Sequence, residues 1–154
     1  PTRILDWTES PLIACFFAAL GASSIVPESD RIKSDKLAIN CFQTSFFTKS
    51  DDIVKVNSPR HRNNFLRLQQ GVFIHMPKAN TYFLKNEKWP SLEDIIDSTK
   101  KLNGALKKYC IPTQEADNLL KILFDYGITT YQLMPTLDNI AKSYAYRSSL
   151  FKTT

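Results

Sequence analysis

Two segments of this chain combine residue types that could do chemistry. The first is Thr2-Arg3-Ile4-Leu5-Asp6-Trp7-Thr8. Arg3 and Asp6 stand among two aliphatic residues and a tryptophan, just ahead of a strongly apolar run. A charged pair against a core element needs partners, because an unpaired buried charge is costly. One reading is structural: Asp6 anchors Arg3 in an internal ion pair or caps the next helix. The other is a ligand site in which Arg3, beside Asp6, binds an anion, Trp7 stacks on a planar ring and Thr8 supplies a hydroxyl.

The second segment is Arg67-Leu68-Gln69-Gln70-Gly71-Val72-Phe73. At the mouth of a strand, consecutive glutamines send one amide toward the core side and the other away. Such an amide bonds a substrate hydroxyl or ties down loop backbone. Gly71 permits close backbone approach or marks a kink where the strand starts. Arg67 belongs with Arg60, His61 and Arg62 to the densest basic group; Lys100, Lys101, Lys107 and Lys108 form the second. The bland reading of both is a solvated surface. As a phosphate contact the Arg60 group would bind in a salt-sensitive way. No aromatic residues interleave it as single-strand nucleic-acid platforms require, which ranks nucleic acid low as a partner.

Several familiar machines are missing. There is no GxGxxG, no Walker lysine loop and no Gly-x-Ser-x-Gly elbow. Two histidines and three widely spaced cysteines, with no CxxC, give no metal-spaced cluster. Cys15, Cys41 and Cys110 each lie in an apolar run, as buried thiols of a reducing cytoplasm would. Lysine and arginine number 20 against 15 acidic residues, a net charge of +5 that favours anionic partners. No apolar segment is long enough to span a bilayer and no secretory signal is visible, so a membrane partner is not expected.

These residues must be positioned by ordinary elements. The 154 residues suit one domain, and the 43% hydrophobic fraction suits a packed core rather than disorder. An extended segment over residues 1–8 leads to Ser10-Pro11, an N-cap and a first helical residue. The helix PLIACFFAAL is apolar all round, predicting burial on most faces, with Gly21 ending it in a left-handed turn. Strands are predicted at LAINCF from Leu37, at Ile53 to Val56, at Gly71 to Met76, at TYFLK from Thr81, and at Ala105 to Ile111. Ser91 with Asp94 forms a capping box for a helix from Leu92 to Leu102. Thr113 caps a helix bearing Ala116, Leu119, Leu120, Leu123 and Phe124 at helical spacing, closed by Gly127. Ile128 to Met134 reads as extended, and Thr136 opens a last helix to about Tyr146. Strands and helices alternate without a regular βαβ repeat. The expected fold is α+β, a single mixed or antiparallel sheet with flanking helices, in one domain over residues 1–154.

Three motifs in order carry a family resemblance. PTRILDWTESPLIACFFA resembles the signature of the bacterial FRG domain, a Pro-Thr-Arg-aliphatic-Leu-Asp-Trp-Thr run before a small-residue helix. RLQQGVFIHMP is similar to that family's Arg and Gln-Gly-aliphatic-Phe strand. LKKYCIPTQEADNLLKILFDYGITTYQLMPTLDNIAK resembles its closing region. The match covers nearly the whole chain. The family's Phe-Arg-Gly motif precedes the Pro-Thr-Arg run, and this chain begins at Pro1, so the resemblance implies a missing N-terminal strand. It also implies a bacterial, cytoplasmic protein.

A remoter likeness is to ADP-ribosyltransferases, which order a basic residue, a hydroxyl or aromatic before a helix, and a later Glu or Gln. That likeness implies an ADP-ribosyltransferase-like fold, with NAD as a substrate rather than a prosthetic group, in a toxin or phage-defence effector. Thr8 and Gln70 then take catalytic roles, with Arg3, Asp6, Trp7 and Arg67 binding substrate. Cleaving the nicotinamide–ribose bond develops oxocarbenium character, so positioning and electrostatics carry the rate. A glutamine cannot act as a base. The alternatives are a non-catalytic module that binds a nucleotide or nucleic acid, and a purely structural domain with Arg3 and Asp6 as a core ion pair. The enzyme reading requires Trp7, Thr8 and Gln70 to face one hollow.

Overall fold

The computed structural model describes residues 4–150. In chain order the elements are β1 (Ile4–Thr8), α1 (Pro11–Leu20), β2 (Lys36–Phe42), β3 (Val54–Val56), α2 (Asn64–Leu68), β4 (Gly71–His75), α3 (Ala79–Asn86), α4 (Leu92–Ser98), β5 (Leu106–Pro112), α5 (Ala116–Asp125), α6 (Thr130–Leu133) and α7 (Leu137–Leu150). Short 3₁₀ turns lie between some of them. The class is α+β, as expected, but the single sheet is not found. The strands form a three-stranded sheet in the order β1-β4-β3 and a two-stranded sheet of β2 and β5.

The chain divides into two units built from alternating segments. The first holds the residues up to Trp7, Asn40–Pro59 and Val72–Tyr109; the second holds Thr8–Ile39, Arg60–Gly71 and the residues from Cys110 onward.

In the first unit, β3 runs antiparallel to β4 with Val54 opposite His75 and Val56 opposite Phe73. Alternation along β4 buries Val72 and Ile74, and Met76 follows in phase. Ile74 and Met76 join Ile53, Ala79, Leu92, Ile95, Ile96, Leu102 and Ala105 in one core. The capping box is present: Ser91 Oγ accepts from Asp94 N–H, and the Asp94 carboxylate accepts from Ser91 N–H. The helix it starts ends at Ser98, earlier than predicted, and a 3₁₀ turn over Lys100–Leu102 finishes the stretch.

The strand predicted from Thr81 is a helix, α3. Thr, Tyr and Phe favour strands only weakly, and packing overrides that preference. Helical spacing lets Ala79 enter the core and Tyr82 pack on it, while Phe83 stacks on Trp89 with ring centroids 4.7 Å apart.

In the second unit, α1 packs on α5. Ile13, Phe16 and Ala19 meet Ala116, Leu120 and Leu123, with Leu37 and Leu133 completing the core. Ser10 caps α1 as predicted, its Oγ accepting from Ile13 N–H. Burial is broad but incomplete: Ile13, Phe16 and Ala19 are buried and Ala14, Cys15, Ala18 and Leu20 half-buried, while Leu12 and Phe17 are exposed. Gly21 is not left-handed either, with φ −65°. Its role is close approach, since a Cβ there would lie 2.8 Å from Ile32 Cδ1. Thr113 does not cap α5; its hydroxyl donates to the Ser34 carbonyl. The segment predicted as extended after Ile128 contains α6, capped by Thr129, whose Oγ1 accepts from Gln132 N–H.

Cys15 and Cys41 are half-buried. Cys110, expected to be buried, is exposed, because the middle of β5 faces solvent in a sheet of only two strands.

Candidate functional site

The corner between α2 and β4 is built from local demands on the backbone. Asn63 starts α2, its Oδ1 accepting from Leu66 N–H. The helix closes with Gln69 N–H donating to Phe65 C=O and Gln70 N–H donating to Arg67 C=O. To turn from helix into strand, the chain takes a left-handed residue, usually a glycine. Here it is Gln70, at φ +48°. The glycine stands one place later because a Cβ on Gly71 would lie 2.3 Å from Leu66 Cδ1. Two adjacent positions both favour glycine, and the chain spends its glycine on packing.

Thr8 is tied to this corner within the second unit. Its hydroxyl donates to Gln69 C=O at 2.8 Å and accepts from Ser10 N–H at 3.1 Å. Glu9 N–H donates to Gln70 C=O at 3.0 Å. Arg60 closes the same corner, its guanidinium donating to Glu9 Oε2 at 2.6 Å and to Gly71 C=O at 3.1 Å. Sequence reasoning noticed Arg60 as charge but missed Glu9, which lies 51 residues away and belongs to no motif.

The two glutamines divide their work. Gln69 is half-buried, and its amide donates to Leu133 C=O at 3.2 Å, tethering α6. Gln70 is exposed, and so is Arg67 on the preceding turn. The corner therefore directs the Thr8 proton and the Arg60 charge inward, and offers outward a guanidinium and an amide. A cation with an amide donor and acceptor can grip an anion and a neighbouring hydroxyl.

The remaining expected residues belong elsewhere. Asp6 and Trp7 are part of the first unit, where β1 alternates. Asp6 is exposed, while Leu5 and Trp7 are half-buried against that unit's core. Arg3 lies outside the described residues. Among the described residues no group of three or more His, Cys, Asp or Glu could hold a metal ion, and no helix is long and apolar enough to cross a membrane. No family model, curated protein or solved structure matches this chain, so its functional reading rests on the residues themselves.

Proposed function

We propose that this chain is an FRG-type module that recognises an NAD-class nucleotide, with Arg67 and Gln70 at the corner between α2 and β4 as its grip. The observation that carries the reading is the backbone of Gln70. A non-glycine residue at positive φ costs on the order of 1 kcal/mol or more. A glutamine kept in that conformation, with its amide exposed, gains nothing for the fold that glycine would not give more cheaply. Its amide suits a ribose hydroxyl, and Arg67 suits a phosphate oxygen.

The test is calorimetric titration of the full chain with NAD, followed by mass spectrometry of the recovered ligand. Saturable binding that weakens roughly tenfold in both Arg67→Ala and Gln70→Ala supports the reading, that being about the contribution of one charge-assisted contact. Absence of saturable binding, or equal affinity in both variants and the parent, rejects it.

A second reading, NAD cleavage by a bacterial defence effector, is favoured by the order of the Pro-Thr-Arg-Ile-Leu-Asp-Trp-Thr and Gln-Gly motifs. In that reading the bond from ribose C1′ to the nicotinamide nitrogen breaks, its electron pair leaves with nicotinamide, water or an acceptor nucleophile bonds to C1′, and the proton that the nucleophile loses passes to solvent. Gln70 holds the ribose and takes no proton. Thr8, its proton given to Gln69 C=O, is a positioning residue. Nicotinamide in the recovered ligand, lost in Gln70→Ala, distinguishes this reading from binding alone.

A further inference from the structure

The first unit contains a cleft of about 520 Å³, within the roughly 300–1,000 Å³ of small-molecule sites. Unlike most such sites it is polar: four lysines, Lys49, Lys78, Lys100 and Lys101, line it against the two aspartates Asp51 and Asp52.

Asp52 organises one side. Its Oδ2 accepts from Ser50 Oγ at 2.9 Å and from Thr99 Oγ1 at 3.0 Å, and its Oδ1 pairs with Lys78 Nζ at 2.5 Å. Three segments far apart in sequence are thereby fixed together. The Lys78 ammonium bonded to it, with help from Ser50 and Thr99, holds the Asp52 carboxyl below the usual carboxylate range. Asp52 thus offsets the Lys78 charge while engaging one of that ammonium's three N–H donors.

The hydroxyls are engaged too. Thr48 Oγ1 donates to Ser45 C=O and Ser98 Oγ to Ile95 C=O, while Ser50 and Thr99 donate to Asp52. The cations of the lining that Asp52 does not pair are the ammonium groups of Lys49, Lys100 and Lys101. Lys49 is further placed by the Phe46 ring, its Nζ 3.9 Å from the centroid. Three point charges without a planar fork suit a compact, multiply charged anion better than a single carboxylate.

We infer that this cleft binds a phosphate-rich anion, of the pyrophosphate class, through Lys49, Lys100 and Lys101. The inference is independent of the nucleotide reading at the second unit's corner.

Inorganic pyrophosphate titrated calorimetrically into the full chain tests it, at about 50 mM salt so that screening stays moderate. Saturable binding is expected, weakened roughly tenfold in Lys100→Ala/Lys101→Ala and by a smaller factor in Lys49→Ala. Lys107→Ala/Lys108→Ala removes the same charge from β5, outside the cleft, and should change affinity less than about twofold. Arg67→Ala and Gln70→Ala should leave pyrophosphate binding unchanged. Equal losses in the two double-lysine variants reduce the effect to net charge and overturn the site. Absence of saturable binding, or loss in Arg67→Ala, overturns it as well. Loss in Arg67→Ala would move the anion to the nucleotide corner; the other two results leave the nucleotide reading untouched.

Discussion

Thr8 and Gln69, 61 residues apart in sequence, are joined by a hydrogen bond from the threonine hydroxyl to the glutamine carbonyl at 2.8 Å. Thr8 Oγ1 in turn accepts from Ser10 N–H. One side chain therefore links the end of β1, the cap of α1 and the end of α2. The hydroxyl that the motif order nominates for chemistry has its single proton committed to main chain.

Thr8→Val should show this directly. Valine keeps the shape but leaves the Gln69 carbonyl and Ser10 N–H without that partner. A loss of roughly 1–3 kcal/mol is expected, the penalty for stranding such groups. Thr8→Ser should restore most of it. Urea denaturation of the three proteins measures the difference. A valine variant as stable as the parent would mean that the bond contributes nothing to the fold.

Gln70→Gly should stabilise the chain by about 1 kcal/mol, because relief of the left-handed strain outweighs the added unfolded-state freedom of glycine. Gln70→Ala keeps the strain and should not stabilise. Thermal denaturation decides it. The nucleotide reading adds a second requirement: the stabilised glycine variant must bind NAD more weakly. Higher stability with undiminished binding would separate the strain from function.

The glycines make a contrasting pair. A Cβ on Gly71 meets Leu66 Cδ1 at 2.3 Å, Leu66 Cγ at 3.3 Å and the Leu66 carbonyl oxygen at 3.4 Å. A Cβ on Gly21 meets the tip of Ile32 at 2.8 Å, and Ile32 is exposed and can swing away. Gly71→Ala should therefore cost about 1–3 kcal/mol, as overpacking does. Gly21→Ala should cost far less. Adding Leu66→Ala to Gly71→Ala should recover part of the loss, which a double-mutant cycle in urea would reveal.

What the sequence makes legible follows from the range of each interaction. Ser10-Pro11 and Ser91-Asp94 are visible because a cap acts within three residues of itself. That the two glutamines part is legible, but which one turns inward is not, because Gln69 closes α2 and Gln70 is left-handed, so a helix end and a turn separate them rather than strand alternation. The helical α3 is not legible, because Ala79 and Tyr82 turn inward only once Ile53 and Leu92 supply something to pack on. The corner is half legible. Its motif marks Thr8 and Gln70, but the bonds from Thr8 to Gln69 and from Arg60 to Glu9 close only in three dimensions. The lysine cleft is still less so, because Asp52, Lys78 and Thr99 come from three separate segments. Lys100 and Lys101 stand out as charge, without a sign that an aspartate hub shapes the space beside them.

That hub has a pH signature. Lys78, then Ser50 and Thr99, lower the Asp52 pKa from its usual 3.8. A carboxyl whose pKa is lower folded than unfolded contributes stability above the unfolded value. Its contribution is fully present above about 3.8 and is lost as pH falls through the folded value beneath it. Asp94, lowered by the Ser91 backbone and side-chain hydrogen bonds, loses its contribution in the same acid window. Lys78, raised above 10.5 by Asp52, contributes below that value and loses its share only as pH rises through its folded pKa. The Asp52 side chain is 17% exposed against 67% for Lys78, so solvent screens the pair from the lysine side. The hydrogen bonds from Ser50 and Thr99 should then carry much of the effect. Asp52→Asn should destabilise at neutral pH by roughly 1.5–3 kcal/mol, the range for hydrogen bonds to a charged group. The gap between parent and variant should narrow steadily as urea midpoints are taken below pH 3.8, while Asp94→Asn leaves that narrowing in place. A gap that stays constant into acid would mean that the Asp52 charge contributes nothing, and that the three segments are held by packing alone.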